Sequence, residues 1–167
     1  WTGADFYPIR NMYSDYYGNI YPVHGNPTDT QNFIIKKYSS TWSWIYSLPI
    51  HSDCWSYSYY VNKWGYNYVY SSDCSSGYIS KYDTDGSFLY SVDTDQYYST
   101  FFSDDNNNLY ASSGSSLIRY DSSWAINLII GQHDVSGQNN LSGTDALLYS
   151  AYNYREFDGN IFLVTQS

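Results

Sequence analysis

Few side chains in this 167-residue chain are suited to chemistry. Its three histidines, His24, His51 and His133, are the residues that could ligate a metal or move a proton near neutral pH. Aspartates gather at Asp83 and Asp85, Asp93 and Asp95, and Asp104 and Asp105. Alternating carboxylates on a flexible turn suit calcium, which takes several oxygen ligands. No EF-hand spacing is present, and an Asx side chain readily bonds the backbone of its own turn. The aspartates therefore read as turn formers, and no cofactor is expected beyond a calcium ion that such turns could take. Cys54 and Cys74, each preceded by Asp, flank one hairpin-like segment and are expected to form a structural disulfide. Closing a loop of about twenty residues is worth roughly 3 kcal/mol. A catalytic thiol would need a cationic neighbour, and His51 is merely the nearest histidine in sequence. There is no Gly-x-Ser-x-Gly elbow and no phosphate loop, and Glu156 is the only glutamate. The chain is expected to have no catalytic residues and not to be an enzyme.

Composition indicates what must hold such residues. Aromatic residues make up 22% of the chain, 23 of them tyrosines, while the formal net charge is −9. Phosphate neutralisation needs clustered Lys and Arg, so nucleic acid is not expected as a partner. Disordered chains are poor in aromatics, so the protein should be folded. A mean hydropathy of −0.52 says that much of it stays wet. Strong helix formers are scarce while Tyr, Trp, Ser and Thr abound, which favours an all-β protein. The longest apolar stretches are short, like Leu128-Ile129-Ile130, so no membrane span is expected. The chain opens on Trp1, has Met12 as its only methionine and lacks a charged segment leading into an apolar one. A mature chain or a fragment, its signal peptide already removed, is expected. Together with the cysteine pair and the Tyr/Ser/Asn-rich acidic surface this points to a secreted, extracellular protein. Asn140-Leu141-Ser142 is its one glycosylation sequon, since Pro27 spoils the one at Asn26.

The sequence repeats. An aromatic residue is followed eight positions later by another at Tyr13 and Tyr21, Tyr60 and Tyr68, Phe102 and Tyr110, and Tyr154 and Phe162. Two residues after the first aromatic stands Asp15, Asn62, Asp104 or Glu156, and five after it Gly18, Gly65, Asn107 or Gly159. Turn formers at fixed offsets between aromatic segments signal hairpins. A second block follows in the first three units: Ile35 to Ser39, Ile79 to Asp83 and Ile118 to Asp121, leading to Trp44-Ile45, Phe88-Leu89 and Ile126-Asn127. Each unit should hold four short strands. The units, approximately 9–48, 56–92, 98–130 and 150–167, have the size of propeller blades, and the last is incomplete. Lys37, Lys81 and Arg119 recur before a tyrosine in the second block. Their stems should cover aromatic surface while their charges meet a turn aspartate such as Asp83 or Asp121.

The run of an acidic residue, Gly-Asn-Ile-Tyr, a variable loop and Ile-x-Lys-Tyr-Asp-x-Asp-Gly-x-Phe-Leu resembles the NHL repeat of β-propellers. Residues Asp15 to Tyr21, Ile79 to Leu89 and Asp158 to Val164 carry it best, and the glycine-studded stretch Gly131 to Leu148 is similar to a loop between certain NHL blades. WD40, kelch and YVTN-type propellers share the blade size. The resemblance implies a single domain, or fragment of one, built as a propeller-like array of about three and a half to four antiparallel four-stranded blades over 1–167. Some NHL propellers are zinc-dependent lyases with histidines converging from several blades, but His24, His51 and His133 occupy non-equivalent repeat positions.

The unfinished fourth unit, with Phe162 and Val164 on its last strand, should expose a backbone edge that invites pairing with another chain. Trp1 to Pro8 could supply a closing strand. Tyrosines beyond those a core needs imply an adhesive surface. The expected function is a non-enzymatic extracellular structural or binding module, a self-assembling glycoprotein subunit of a filament or coat, with copies of itself, extracellular proteins or glycans as partners. The alternatives are a metal-dependent propeller lyase or hydrolase, and a carbohydrate- or protein-binding propeller.

Overall fold

A computed structural model describes residues 8–25, 32–51, 57–72, 77–94, 98, 100–112, 116–131, 151–157 and 160–165, with side chains described only up to 130 and not at every strand end. Trp1 to Tyr7, Cys54, Cys74, His133 and Asn140 lie outside these residues. The protein is all-β, with no helix among the described residues. It divides into two compact units, 1–94 and 95–167.

The first unit holds two four-stranded antiparallel sheets. Sheet one runs β1 (Ile9–Ser14), β2 (Ile20–Gly25), β3 (Asn32–Tyr38) and β4 (Trp44–His51). Sheet two runs β5 (Tyr57–Val61), β6 (Asn67–Ser72), β7 (Gly77–Tyr82) and β8 (Phe88–Thr94). The second unit holds sheet three, β9 (Thr100–Ser103), β10 (Leu109–Ser112), β11 (Ser116–Tyr120) and β12 (Ile126–Gly131), and a hairpin of β13 (Ala151–Phe157) and β14 (Asn160–Thr165). Every four-stranded sheet is a meander in which neighbours in sequence are neighbours in space. Strand β1 comes close to β5 in the first unit, and β9 to β13 in the second.

Among the described residues six turns set this pattern, and all use one device. The first residue, Asp15, Ser39, Asn62, Asp83, Asp104 or Asp121, donates its N–H to the carbonyl four residues on and accepts the N–H three residues on. That third residue has positive φ in every case: Gly18, Trp42, Gly65, Gly86, Asn107 and Trp124. This is the three-residue hairpin with a left-handed bulge residue. In five of the six the side chain of the first residue also accepts the N–H groups two and four residues on, as Asp15 Oδ1 does from Tyr17 at 3.0 Å and Asn19 at 2.9 Å. The exception is the Asp83 turn, where Asp85 accepts from Ser87 instead.

The turns fix the register, and the register explains the repeat. Tyr13 faces Tyr21, Tyr60 faces Tyr68 and Phe102 faces Tyr110 across their strand pairs. One strand further on, Lys81 faces Tyr68, Arg119 faces Tyr110, and the Ile20–Tyr38 and Val23–Ile35 pairs put Lys37 beside Tyr21. Lys37 then faces Tyr46 and Lys81 faces Tyr90. Each sheet thus carries one transverse row in which a cation follows two aromatics. The last hairpin departs by one residue: Tyr154 faces Leu163, and Phe162 faces Arg155. There the register closes on the pair Phe157 and Asn160.

The core of the first unit is Tyr21, Val23, Phe33, Ile35, Leu48 and Ile50 from sheet one with Val61 and Val69 from sheet two, and Tyr13, Tyr46, Tyr59 and Tyr82 pack against it. Polar atoms join the same two sheets. Tyr16 donates its N–H to the Lys63 carbonyl at 2.7 Å, Tyr13 its hydroxyl to the Tyr59 carbonyl at 2.7 Å, and Asn67 its amide to the Tyr46 hydroxyl at 2.8 Å. In the second unit Phe101, Phe102, Leu109, Tyr110, Leu117, Ile118 and Tyr120 are buried with Tyr98, whose hydroxyl lies 2.8 Å from that of Tyr120.

Gly65 is where turn geometry and sheet packing meet. Its φ is +88°, and a Cβ there would stand 2.8 Å from the Tyr21 hydroxyl and 3.1 Å from Asp15 Oδ2. Gly65→Ala should cost about 2 kcal/mol or more, combining left-handed strain with the clash. Gly18→Ala, at the same turn position with φ +78° and Ser40 Cβ at 3.3 Å as the nearest atom to an added Cβ, should cost less, about 1–2 kcal/mol from the left-handed strain. Urea midpoints of the two variants check the contrast.

Candidate functional site

The buried polar side chains of the first unit concentrate where the Asp15 turn meets sheet two. Asp15 is only 8% exposed and spends both oxygens on its own hairpin. Besides the two backbone N–H groups, its Oδ2 accepts from the Asn19 amide at 2.7 Å and from the fully buried Tyr21 hydroxyl at 2.8 Å. Asp104, Asn108 and Tyr110 repeat this trio in sheet three, at 2.7 and 3.2 Å. The sequence marks Asp15 and Asp104 as turn residues; their second role, as acceptors for a buried tyrosine six residues on, follows from the register.

Beside Tyr21, Lys37 is 6% exposed. Its Nζ lies 5.2 Å from the centre of the Tyr21 ring and 5.7 Å from that of Tyr46, and donates to the Thr84 carbonyl at 2.8 Å. Cation–π attraction is strongest where water is excluded, which fits an ammonium between two rings. Burial pulls the Lys37 pKa down, opposed by the charges of Asp15, Asp85 and Asp83. Lys81 repeats the arrangement over Tyr66, Tyr68 and Tyr90 at 4.5, 5.4 and 5.8 Å, and burial lowers its pKa too. It is the ammonium groups of both lysines that are placed over aromatic rings. The partner of Lys37 is a main-chain carbonyl of the Asp83 turn rather than a turn carboxylate. Arg119 reaches Asn127 through its Nε at 2.5 Å, and Asn127 in turn donates to Asp121 at 3.3 Å.

A cleft of about 440 Å³ opens here, lined by Asp15, Tyr17, Asn19, Lys37, Trp64, Tyr66 and Thr84. Three turns and strand β3, from two sheets, contribute to it, which is why no local motif announces it. Only Asp15 and Lys37 of this set stand out in the sequence by their repeat positions.

Of the histidines, His24 and His51 fall within the described strands and stand on different ones. His24 lies on β2 between Ile9 and Ile34 of its neighbours, while His51 ends β4 opposite Asn32, with β3 between the two strands. No group of three or more His, Cys, Asp or Glu is arranged to hold a metal among the described residues. Turn bonding occupies the aspartates: Asp83 accepts the Thr84 N–H at 2.6 Å, and Asp85 accepts that of Ser87 at 2.8 Å, which holds the Asp85 carboxyl below its usual pKa. Of the aromatic pairs, Tyr21, Tyr68, Phe102 and Tyr110 are buried and Tyr13 and Tyr60 half-buried. Phe162 and Val164 lie on β14, whose partner among the described residues is β13.

Two outcomes follow from this polar interior. Asp15→Ala strips the Tyr21 hydroxyl of its acceptor and the turn of three bonds, and should cost about 1–3 kcal/mol in chemical denaturation. Burial also raises the phenol pKa values of Tyr13, Tyr46 and Tyr90 to about 12, those of Tyr21 and Tyr68 further, and that of Tyr59 well above its usual value. Unfolded tyrosines ionise near pH 10, so between about pH 10 and 12 the unfolded chain has released protons that the folded one still holds. That stabilisation is complete below about pH 10 and lost as pH rises through the folded values. Lys37 and Lys81 act with the opposite sign but are outnumbered. Ultraviolet titration should show one tyrosine class ionising near pH 10 and a second only with cooperative unfolding at higher pH.

The sequence matches no protein-family model and no curated protein. The fold is similar to that in a crystal structure of a protein of unknown function from Bacteroides caccae, with a TM-score of 0.60 and 14% sequence identity over 87% of this chain and 52% of that one. This chain spans about half the length of that protein, and at such identity the likeness concerns the fold alone.

Proposed function

We propose that the protein is a non-enzymatic, secreted structural module, a propeller-like array of blades whose exposed strands join it to further copies of itself. The observation that carries this reading is a repeated one. The outermost strands β4, β8 and β12 each begin with exposed apolar residues: Trp44 (63% exposed) and Ile45, Phe88 (58%) and Leu89, and Ile126 (52%). A lone exposed apolar side chain is ordinary, whereas recurrence at one position of three sheets gives a multivalent surface. The same strands are sheet edges among the described residues, so their backbone groups can add a strand of a neighbour. Large rigid aromatics at such edges contribute contact area with few torsions to freeze. Meandering four-stranded sheets, with the first strand of one close to the first strand of the next in each unit, support the blade-like reading. The NHL-like repeat agrees with it, and the sequon at Asn140 is where it would carry a glycan.

Light scattering and negative-stain electron microscopy over a concentration series test this. Ordered assemblies should appear as concentration rises, and the triple variant Trp44→Ser, Phe88→Ser, Ile126→Ser, altered only at exposed positions, should stay monomeric with an unchanged circular dichroism spectrum. Monodisperse single chains at every concentration would overturn the reading, as would assemblies that the triple variant leaves intact.

A further inference from the structure

We propose that the cleft between the Asp15 turn and sheet two is a binding site for a neutral saccharide, a function separate from assembly. The cleft, about 440 Å³, falls in the range of small-ligand sites, about 300–1,000 Å³, and combines aromatic walls with a few fixed polar groups. Two of its walls are the rings of Tyr17 (65% exposed) and Trp64 (37%). Both have a neighbour: Tyr17 meets Tyr16 edge to face at 5.7 Å, and the Lys63 ammonium lies 4.9 Å from the centre of the Trp64 ring. Their backbones are fixed, since the Tyr17 N–H is held by Asp15 and that of Trp64 by Asn62.

The polar end of the cleft selects the ligand class. Lys37 brings three N–H donors to it, and one goes to the Thr84 carbonyl. A purely apolar ligand would cover the ammonium and offer it no acceptor beyond that carbonyl and the Tyr21 and Tyr46 rings, which is costly for a charged group. A ligand with its own negative charge faces Asp15, Asp83 and Asp85, all within electrostatic reach of that single ammonium. A cation would meet the ammonium itself. A pyranose ring fits these demands together, with uncharged hydroxyls to accept from Lys37 and exchange bonds with Asn19 and Thr84, and an apolar C–H face to lie on Trp64 or Tyr17.

Isothermal titration and tryptophan fluorescence with maltohexaose, cellohexaose, xylohexaose, mannohexaose and chitohexaose, with polygalacturonate as the anionic comparison, test the assignment. At least one neutral oligosaccharide should bind and change the tryptophan emission. Trp64→Ala, at a partly exposed turn position, should keep the fold by circular dichroism and weaken binding about tenfold, the size of one lost aromatic contact. The triple variant that abolishes assembly should bind as the parent does, so the two functions can fail independently. The proposal is overturned if none of the neutral sugars binds at about 10 mM, above the millimolar range of weak specific sites. It is equally overturned if only polygalacturonate binds, or if Trp64→Ala binds as tightly as the parent.

Discussion

A three-residue turn whose third residue sits at positive φ leaves its two strands one register. Six such turns recur among the described residues, closed within five residues by the N–H and carbonyl of the first residue and, in most, by its side chain. A slip of one position would carry every side chain of a strand to the opposite face. With register held, each sheet aligns two aromatics and a cation in a single row, and the buried contacts of that row follow: Tyr21 on Asp15, Lys37 between Tyr21 and Tyr46, Lys81 among Tyr66, Tyr68 and Tyr90.

Tyrosine suits such rows because one side chain serves two purposes. Its ring fills space between sheets and its hydroxyl meets a polar group there, as Tyr13 does with the Tyr59 carbonyl and Tyr46 with Asn67. A core built this way accommodates the polar composition of the chain by pairing hydroxyls and amides inside it. It also accounts for much of the tyrosine content, while Tyr16 and Tyr17 are left at the surface.

The turns and the all-β class were legible in the sequence because their signals are local. Asp15 with Gly18, Asn62 with Gly65, and Asp104 with Asn107 declare both the cap and the left-handed residue within a few positions. Trp42 and Trp124 occupy that left-handed position too, and nothing in the chemistry of tryptophan announces it; there the turn geometry overrides residue preference. The last hairpin matches the repeat in Tyr154 and Phe162 yet pairs one residue out, its register closing on the pair Phe157 and Asn160. The cleft was not legible, since Thr84, Trp64 and Asn19 come together only through the packing of two sheets.

The turn bonds connect residues at most four apart, whereas the tyrosine hydroxyl bonds between sheets reach across as many as 46 positions, from Tyr13 to Tyr59. Short-range closure is fast, with hairpins forming in about 1–10 μs, while long-range contacts carry a larger chain-entropy cost and form late. The order of folding is thereby written into the spacing of the bonds. Hairpins with correct register come first, and the aromatic faces stay uncovered until neighbouring sheets dock. During that interval a nascent chain presents to other nascent chains the same tyrosine-rich faces it will later bury within itself, so its yield should depend on how crowded the chains are as they fold.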